Sequence, residues 1–431
     1  MKKLLLILPR HESGYWGHVS ESGKAGMVRL SLSTIAALTP KDWSVEILDA
    51  RVTPVDYDKK VDLVGITAFT AEIPSAYAIA DGFRERGTPV VMGGFHVSAM
   101  PEEALGHADS VVVGEAEPVW AEVLRDLEAR TLKPVYKADH LIDMNNMAIP
   151  RRDLLDQNMY STGFNTIQAT RGCPFACDYC AVSAFFGKQY RHRPVGEVVE
   201  EIEAFNTKNF FFVDDNIAGS SRYAKALFSA LKPLNKVWGG QASITFAQDD
   251  ELLSLYAASG GKYAFIGFES LSEANLRRMN KSWNSPDNYK KAIKRIQRAG
   301  ISILGSFIFG LDDDDPGVFE RTVRFIRTTG IDAAQFHILT PFPGTRLYDT
   351  MKDEGRIVDD DWGKYHTSDV IFRPVSMTPE ELLRGYFWAF RETYKLNSTL
   401  RRSLRSMHNI KPRASLNFGY RKKAMQMPSQ I

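Results

Sequence analysis

The stretch "FNTIQATRGCPFACDYC", residues 164–180, places a strand-like segment directly before a loop that holds all three cysteines of the 431-residue chain. Cys173, Cys177 and Cys180 follow a C-x3-C-x2-C spacing. Three thiolates on one loop can ligate three corners of a cubane iron–sulfur cluster, and the fourth iron is then open to a ligand that is not protein. A structural zinc site needs four protein ligands, and the candidate fourth ligand, His192, has no usual ligand spacing. We therefore expect an iron–sulfur cluster with one open iron.

The length and composition are those of an ordinary globular protein. Hydrophobic residues make up 44% and charged residues 25% of the chain, which argues against large disordered regions. A chain this long can bury a core that needs no disulfide bonds, and three clustered cysteines fit a reducing compartment. The N-terminal "MKKLLLILP" is too short an apolar run for a signal peptide and predicts a buried strand. No stretch approaches the ~20 apolar residues of a membrane span, so we expect a cytoplasmic protein of two or three domains.

Short apolar runs alternate with helix-like segments over the first third of the chain. The predicted strands are "KLLLIL", "SVEILDA", "VDLVGITAF", "PVVMGGF" and "DSVVVGEAE". This α/β alternation predicts a doubly wound parallel sheet, whose ligands would bind beyond the carboxyl ends of the strands. We assign residues 1–140 to this Rossmann-like domain and the irregular residues 141–162 to a linker.

Residues 163–370 repeat a strand-then-helix step, with predicted strands "FNTIQAT", "NFFFVDD", "KVWGGQASI", "YAFIGFES", "SILGSFIFG" and "AAQFHIL". This pattern predicts a partial (β/α)6 barrel with its active site at the C-terminal ends of the strands. Residues 371–431 predict a helical appendage with a basic tail. Its first helix, in "MTPEELLRGYFWAF", begins with Thr378 and Glu381 in a T-x-x-E capping box.

The segment "CPFACDYC" resembles the cysteine loop of the radical S-adenosylmethionine (SAM) superfamily, in which an aromatic residue precedes the last cysteine. The resemblance implies that Cys173, Cys177 and Cys180 ligate a 4Fe-4S cluster and that SAM chelates the open iron. It implies that Tyr179 packs near the adenine of SAM. Reductive cleavage of SAM would give a radical able to abstract hydrogen, with electrons from a donor such as ferredoxin or flavodoxin.

Further motifs resemble the secondary SAM contacts of the same superfamily. "FFVDDN" resembles a variant found in cobalamin-associated members, in which Asp214 and Asp215 could hold the SAM amino group; a solvated loop or a helix N-cap is the alternative. Ser243 in "GGQASI" could meet the SAM carboxylate, and Glu269 in "IGFES" resembles the ribose contact. "GSFIFG", which ends at Gly310, resembles the motif that brings backbone close to adenine. The resemblance, which continues to "TPFPGTRLY", covers about residues 163 to 350.

The front domain resembles the cobalamin-binding domain that is joined to many radical SAM enzymes. The matching segments are "VGIT", "VVMGGFHVS" and "VVVGEAE". The resemblance implies that they line the slot for the cobalamin nucleotide tail, and the implied contact residues are Thr67, Gly93, Gly94, Ser98 and Glu115. The alternative is a doubly wound domain that keeps the shape and binds nothing.

One departure concerns the cobalt ligand. Cobalamin domains that donate an axial histidine carry D-x-H-x-x-G, whereas this chain reads "DARVTP", with Arg51 in place of the histidine and Pro54 in place of the glycine. We therefore expect cobalamin to be bound without an axial histidine. We expect His11 and His96 to be ordinary polar residues.

The resemblance implies a cobalamin-dependent radical SAM methyltransferase that methylates an unactivated carbon of a small-molecule or lipid-type substrate. Ring formation on a lipid or tetrapyrrole-like substrate is the alternative. A cluster protein without enzymatic activity would not need the SAM-contact motifs, and a tRNA methylthio-transferring enzyme would carry a second cysteine triad, which is absent. Tyr263, His337 and Arg346 are each candidates to act at the barrel mouth, and the sequence does not choose between them.

The C-terminal tail is strongly basic. Residues 395–431 hold nine Lys or Arg and no Asp or Glu. The tail indicates either contact with an anionic surface or a solvated chain end. In "LRRSLRSMHNI", Leu400, Leu404 and Met407 recur near helical spacing among arginines, a pattern typical of peripheral contact with a lipid surface or of packing on the same protein. No nucleic-acid partner is expected.

Overall fold

The computed structural model describes residues 1–11, 24–405 and 409–428, so Met407 lies outside the described residues. The front sheet has six strands, all parallel: β1 (Lys2–Leu8), β2 (Trp43–Asp49), β3 (Leu63–Thr67), β4 (Val90–Gly93), β5 (Ser110–Val113) and β6 (Val135–Lys137). Their order is β2-β1-β3-β4-β5-β6, so the winding reverses between β1 and β3. The carboxyl ends at this reversal form the usual ligand crevice of a doubly wound sheet.

Helices cover both faces of this sheet. They are α1 (Ser31–Leu38), α2 (Ile73–Arg84), α3 (Phe95–Ala99), α4 (Pro101–Leu105) and α5 (Trp120–Ala129), with a 3₁₀ turn at Thr70–Glu72. Side chains of β1 alternate between two buried clusters, with Leu4, Leu6 and Leu8 on one face and Leu5 and Ile7 on the other. Burial on both faces explains why "KLLLIL" is apolar at every position but the first.

The second sheet also has six parallel strands, β7 (Asn165–Ile167), β10 (Asn209–Phe212), β11 (Val237–Gln241), β12 (Gly261–Glu269), β13 (Ser302–Phe309) and β14 (Ala333–Ile338). They stand in the order β14-β13-β12-β11-β10-β7, which is the open (β/α)6 barrel expected from the sequence. A short antiparallel pair, β8 (Thr170–Arg171) and β9 (Arg191–His192), flanks the cysteine loop.

The barrel helices are α6 (Ala181–Phe186), α7 (Val195–Glu203), α8 (Ser221–Leu231), α9 (Asp250–Ala258), α10 (Glu273–Arg278), α11 (Pro286–Arg298), α12 (Val318–Thr329) and α13 (Arg346–Asp353). Short 3₁₀ turns lie at Arg152–Leu154, Gln157–Met159, Lys232–Leu234, Ile244–Gln248 and Trp362–Lys364. One large hydrophobic core joins these helices to the outer face of the strands. The helices therefore do not cover the inner face of the sheet, which can accommodate ligands.

The appendage consists of α14 (Pro379–Thr393), α15 (Leu396–Leu404) and α16 (Ile410–Gln426). The Thr378 and Glu381 capping box is confirmed, since each side chain accepts the backbone N–H of the other residue, at 3.2 and 2.8 Å. No helix among the described residues is long and apolar enough to cross a bilayer.

Part of the basic tail packs on its own barrel. Arg413 forms a buried ion pair with Asp332, at 3.2 Å, and the Asn417 amide donates to the Asp332 carbonyl. Arg402 in turn donates to the Asn417 side chain, at 3.0 Å. Because Asp332 directly precedes β14, these contacts lie at the N-terminal end of the strands, opposite the cysteine loop. Two of the nine basic residues of the tail are therefore internal and are not open to a partner.

Candidate active site

The cysteine loop lies at the carboxyl end of the barrel, between β8 and α6, and Asp214 fixes the chain that enters it. The Asp214 carboxylate accepts hydrogen bonds from the Ala169 N–H at 3.1 Å, the Thr170 N–H at 2.5 Å and the Thr170 hydroxyl at 2.6 Å. Burial raises the pKa of Asp214 to about 7, against the effect of these donors. Asp214 is thus engaged with the backbone of the loop, and its predicted contact with SAM stays a prediction.

The first residues of helix α13 also hold the cysteine loop, through contacts with Ala176 and Asp178. The Arg346 guanidinium donates to the Ala176 carbonyl at 3.0 Å and pairs with Asp178. The Leu347 N–H donates to the Asp178 carbonyl, also at 3.0 Å. Arg346 was a candidate to act at the barrel mouth, and the structure places it as a support of the cysteine loop.

The three thiols are free and half-buried. Burial raises the pKa of each thiol, to about 12 for Cys177, and the nearby Lys281 ammonium opposes this shift at Cys173 and Cys177. Within residues 1–11, 24–405 and 409–428, no three Cys, His, Asp or Glu side chains converge as ligands of one metal ion. A cubane does not require such convergence, because each thiolate binds a different iron atom.

Asp215 presents an unsatisfied carboxylate oxygen beside the thiols. Its Oδ2 atom is buried and has no hydrogen-bond partner among the described residues, and its charge acts on Cys173 and Cys180. Burial raises the pKa of Asp215 to about 6, which the Gly172 N–H and Arg171 oppose. Because a buried polar atom requires a donor, Asp215 fits an ammonium group next to the cluster, such as the amino group of SAM.

Glu269 reaches the same region through an irregularity at the end of β12. The pairing register shifts between Gly267 and Glu269, and Glu269 adopts a φ of +63°, which is uncommon for a residue with a side chain. Its carboxylate accepts from Lys281 at 2.7 Å and from the Tyr179 hydroxyl at 3.2 Å. The bulge thus joins the predicted ribose contact and the predicted adenine contact into one hydrogen-bonded group.

The other two predicted SAM contacts, Ser243 and Gly310, each contact other parts of the protein. Ser243 caps the 3₁₀ turn at Ile244–Gln248, and its hydroxyl accepts from the Thr245 hydroxyl at 3.0 Å. Gly310 has a φ of +90°, and a Cβ there would lie 2.7 Å from Leu382 in α14. The missing side chain of Gly310 therefore accommodates the appendage, and its approach to adenine stays a prediction.

A cavity of about 500 Å³ opens between the front sheet and the barrel. Its walls come from the carboxyl ends of the front strands and from the segments around the cysteine loop. Among its lining residues are Gly65, Thr67, Gly93, Gly94, Gly114, Glu115, Gln168, Arg171, Phe185 and Phe186. One cavity therefore borders both the crevice of the front sheet and the cysteine loop.

Four of the five predicted cobalamin contacts line this cavity, namely Thr67, Gly93, Gly94 and Glu115. A Cβ at Gly94 would lie 2.8 Å from the Thr67 hydroxyl, so the glycine allows these two segments to approach. Ser98 instead accepts the Gly114 N–H at 2.9 Å and shapes the loop after β5. A Cβ at Gly114 would meet no atom of the described residues within 4 Å, so this edge of the cavity has room for a bound ligand.

Glu115 is also the centre of an ion-pair group that joins the front domain to the β8–β9 pair. It accepts from Arg171 at 3.0 Å, from Arg191 at 2.9 Å and from the Ile142 N–H at 2.9 Å. Arg171 pairs in addition with Glu117 at 2.5 Å. Because Arg171 directly precedes the cysteine loop, this group fixes the front domain relative to the cluster site.

The residue that replaces the axial histidine of the motif, Arg51, lies in the wall of the cavity. Its guanidinium donates to Asp49 at 2.8 and 2.6 Å, and the Tyr160 hydroxyl donates to the same carboxylate. No histidine is found among the described residues that form the wall.

His96 and His11 lie away from the cavity wall. His96 is fully buried, 3.5 Å from Glu103, which also accepts from Trp362 at 3.0 Å. His11 lies 3.2 Å from the Gly363 carbonyl. Both histidines therefore take part in contacts between the front domain and the segment that follows α13.

Tyr263, one of the three candidates to act at the barrel mouth, lies at the opposite end of the barrel. Tyr263 is the third residue of β12, so it lies near the N-terminal end of the strand. Asp332 and Arg413, which form an ion pair at the N-terminal end of the barrel, are close to it. Burial raises its pKa to about 12. His337, the fifth residue of β14, lies toward the carboxyl end of its strand.

Sequence reasoning missed Lys281, Arg171 and Arg191. Arg171 is adjacent to the first cysteine in "TRGCPF", and its position there could have drawn attention to it. Arg191 and Lys281 form no motif with their acidic partners, which lie 76 and 12 residues away in the chain. Only the fold brings these pairs together.

Three family models match the sequence. The radical SAM superfamily matches residues 167–326, the B12 binding domain matches residues 24–124, and a domain of unknown function (DUF4070) matches residues 345–429. The first two matches coincide with the barrel that holds the cysteine loop and with the sheet that borders the cavity.

Two relatives are similar over nearly the whole chain. The bacteriochlorophyllide d C-12(1)-methyltransferase of Chlorobaculum tepidum is 34% identical over 413 residues, which span 93% of this chain and 89% of that protein. The bacteriochlorophyllide d C-8(2)-methyltransferase of the same organism is 31% identical over 92% of this chain and 91% of that protein.

The fold is similar to that of a solved methyltransferase. The structure of the radical S-adenosylmethionine methyltransferase TsrM of Kitasatospora setae, with cobalamin and a [4Fe-4S] cluster bound, superposes with a TM-score of 0.73 at 15% identity. The match covers 99% of this chain and 100% of that chain. It confirms the predicted fold class of a Rossmann-like domain, a partial barrel and a helical appendage.

Proposed function

This chain belongs to the radical SAM superfamily, in the branch with an N-terminal B12-binding domain, and we propose that it methylates an unactivated carbon of a tetrapyrrole-type pigment. The observation that supports the proposal is the single cavity that borders both the front sheet and the cysteine loop. A methyl donor held by the front sheet would therefore lie beside the site where SAM meets the cluster.

When bound, the cluster with SAM supplies hydrogen-atom abstraction, and cobalamin supplies the methyl group. Cys173, Cys177 and Cys180 would hold the cluster. The unsatisfied Oδ2 atom of Asp215 would accept the SAM ammonium group. Glu269, which is held by Lys281 and Tyr179, would accept the ribose hydroxyls.

Aromatic rings line the cavity near the loop. Phe185 and Phe186 lie in α6, directly after the last cysteine, with their rings 4.8 Å apart. Phe185 stacks on Phe95 of the front domain at 4.4 Å, and Phe69 lies 5.4 Å from Phe95. These rings would keep water away from reactive species and so limit side reactions.

The tetrapyrrole substrate is proposed from the two relatives above 30% identity, whose names give bacteriochlorophyllide d as substrate. Both are methyltransferases, so they favour methyl transfer over ring formation. A small one-electron donor such as ferredoxin or flavodoxin would reduce the cluster.

The proposed function is tested on anaerobically reconstituted protein loaded with cobalamin. We expect about four irons and one cobalt per chain. With a reductant, bacteriochlorophyllide d and SAM that carries a trideuterated methyl group, mass spectrometry should detect a pigment that has gained the labelled methyl and an equivalent release of 5′-deoxyadenosine. A Cys180→Ala protein serves as the blank. Absence of cobalt after loading, or a cyclised pigment without label, would refute methyl transfer.

We also propose that the protein binds peripherally to an anionic membrane through α15. Leu396, Leu400 and Leu404 follow one face of this helix and are 47%, 39% and 64% exposed. Arg401 beside them and Lys411 at the start of α16 are exposed as well, and no acidic residue lies between 395 and 431. Exposed leucines among basic residues match the apolar interior and the negative headgroups of such a surface.

Vesicle sedimentation checks this proposal. The protein should pellet with vesicles of phosphatidylglycerol and phosphatidylcholine, and the Leu396→Ser, Leu400→Ser, Leu404→Ser triple variant should bind at least about tenfold more weakly, because three leucines no longer enter the acyl region. Ile149→Ser with Val375→Ser, which changes two exposed apolar residues elsewhere, is the matched control. Equal binding of the triple variant and the control would remove α15 as the membrane contact.

A further inference from the structure

Strand β14 presents two polar side chains to the interior of the barrel. Ala334, Phe336 and Ile338 are buried on the outer face, which packs on α14, whereas the alternate residues Gln335 and His337 are only half-buried. Successive side chains of a strand point to opposite faces, so Gln335 and His337 face the inside.

The interior side chains next to Gln335 and His337, on β13 and β12, are mostly apolar. Ser306 pairs with Gln335 and Ile308 pairs with His337 across β13 and β14. In a deeper row, Phe265 and Leu304 are paired and are both half-buried although their side chains are apolar. The interior thus offers an apolar floor, with polar groups concentrated toward the carboxyl end of β14.

His337 is oriented by a hydrogen bond with Thr367. Its Nδ1 atom lies 3.0 Å from the hydroxyl of Thr367, a β-branched residue with an unusual φ of +68°. The Thr367 hydroxyl makes no other hydrogen bond among the described residues and can donate to Nδ1, which is the arrangement in which Nε2 carries the ring proton. Burial lowers the pKa of His337 and so favours the neutral ring.

Gln335 adds a second neutral donor on the same strand. Its side-chain amide makes no hydrogen bond with any described residue. The two residues are two positions apart, so their side chains start roughly 7 Å from each other and can converge on one oxygen with two lone pairs. The charge of Glu269 reaches His337, and it would repel a carboxylate placed here.

We propose that His337 and Gln335 are specificity-determining residues that donate hydrogen bonds to an uncharged carbonyl oxygen at the edge of a flat, largely apolar substrate. The proposal rests on the tetrapyrrole substrate class of the proposed function. Under this proposal, these side chains of β14 determine which pigment binds in the barrel and in which orientation its ring lies.

The test is a binding titration of the reconstituted holoenzyme with two probes. One is bacteriochlorophyllide d with its ring carbonyl intact, and the other is the same pigment with that carbonyl reduced fully to a methylene, so that no acceptor oxygen remains there. His337→Leu and Gln335→Leu should each weaken binding of the intact pigment about tenfold, because a buried oxygen loses its donor. Both variants should change binding of the reduced pigment less than about twofold. The difference between the effects on the two pigments measures the coupling between each side chain and the carbonyl.

His337→Gln, which keeps a donor, should restore most of the affinity for the intact pigment. His140→Leu and Gln157→Leu replace exposed residues of the same types and are the matched controls, and iron content with circular dichroism verifies folding. Equal effects of the β14 variants on the two pigments, or no effect on either, would overturn the assignment. If the wild-type protein binds neither pigment, the proposed substrate class fails, and this assignment falls with it.

Discussion

Replacing Cys177 with alanine is expected to remove the iron–sulfur cluster and all reductive cleavage of SAM. The cubane is held at three corners by three thiolates, and the chain has no fourth cysteine that could replace one of them. After anaerobic reconstitution, the wild-type protein should hold about four irons per chain. Cys177→Ala should hold no stoichiometric iron and should release no 5′-deoxyadenosine above a reaction without protein.

A variant with a cysteine at a new position tests whether the cluster requires the position of the three thiols or only their number. Ala184 is an exposed residue of α6, close in sequence to the loop. Ala184→Cys alone should keep the wild-type iron content, whereas Cys177→Ala combined with Ala184→Cys should stay without a cluster although it has three thiols again. A cluster and SAM cleavage in Cys177→Ala would show that this loop does not provide the ligands.

The fold could be predicted because its strands are covered on both faces. Strand β1 is apolar at every position after its first residues, and the same holds for the runs that became β3, β4 and β5. The short β6, β8 and β9 were not predicted, since two or three residues are too few to show a period. Pairing with neighbours far away in sequence, and not local preference, makes these segments strands.

The cysteines of the site could be predicted because their spacing is local. Asp214 and Asp215 show the limit of such reasoning, since two adjacent carboxylates look equivalent in the sequence. In the fold they point to different partners, Asp214 to the backbone of the cysteine loop and Asp215 to the thiols. Only the relative placement of β10 and the loop separates the two roles.

Tyr263 and the basic tail could not be placed from the sequence for a related reason. A residue on a barrel strand can lie at either end of the barrel, and the nine-residue length of β12 decides that Tyr263 lies at the closed end. The tail looked uniformly basic. Its distribution between buried arginines and exposed leucines depends on how α15 packs on α16 and how α16 packs at β14, the latter a contact between segments about 80 residues apart.

Replacing Arg171 with methionine is expected to destabilise the folded protein by about 3–5 kcal/mol, because it leaves Glu117 without its cation and leaves the buried Glu115 with Arg191 alone. Arg171 is 7% exposed and pairs with Glu115 and Glu117, which are themselves buried or nearly so. Equilibrium urea unfolding measures the change. Arg324→Met, which removes an ion pair that is 67% exposed on both sides, is the matched control and should cost less than about 1 kcal/mol.

The same substitution should weaken the link between the two cofactor sites, because Arg171 lines the cavity and directly precedes the cysteine loop. In the fraction that stays folded, we expect iron content near that of the wild type, less bound cobalamin, and more 5′-deoxyadenosine released per methylated product. Glu117→Gln added to Arg171→Met removes the charge that is left unpaired and should recover part of the lost stability. An Arg171→Met protein as stable as the control, with an unchanged ratio of the two products, would show that this ion-pair group neither stabilises the domain interface nor aligns the two sites across it.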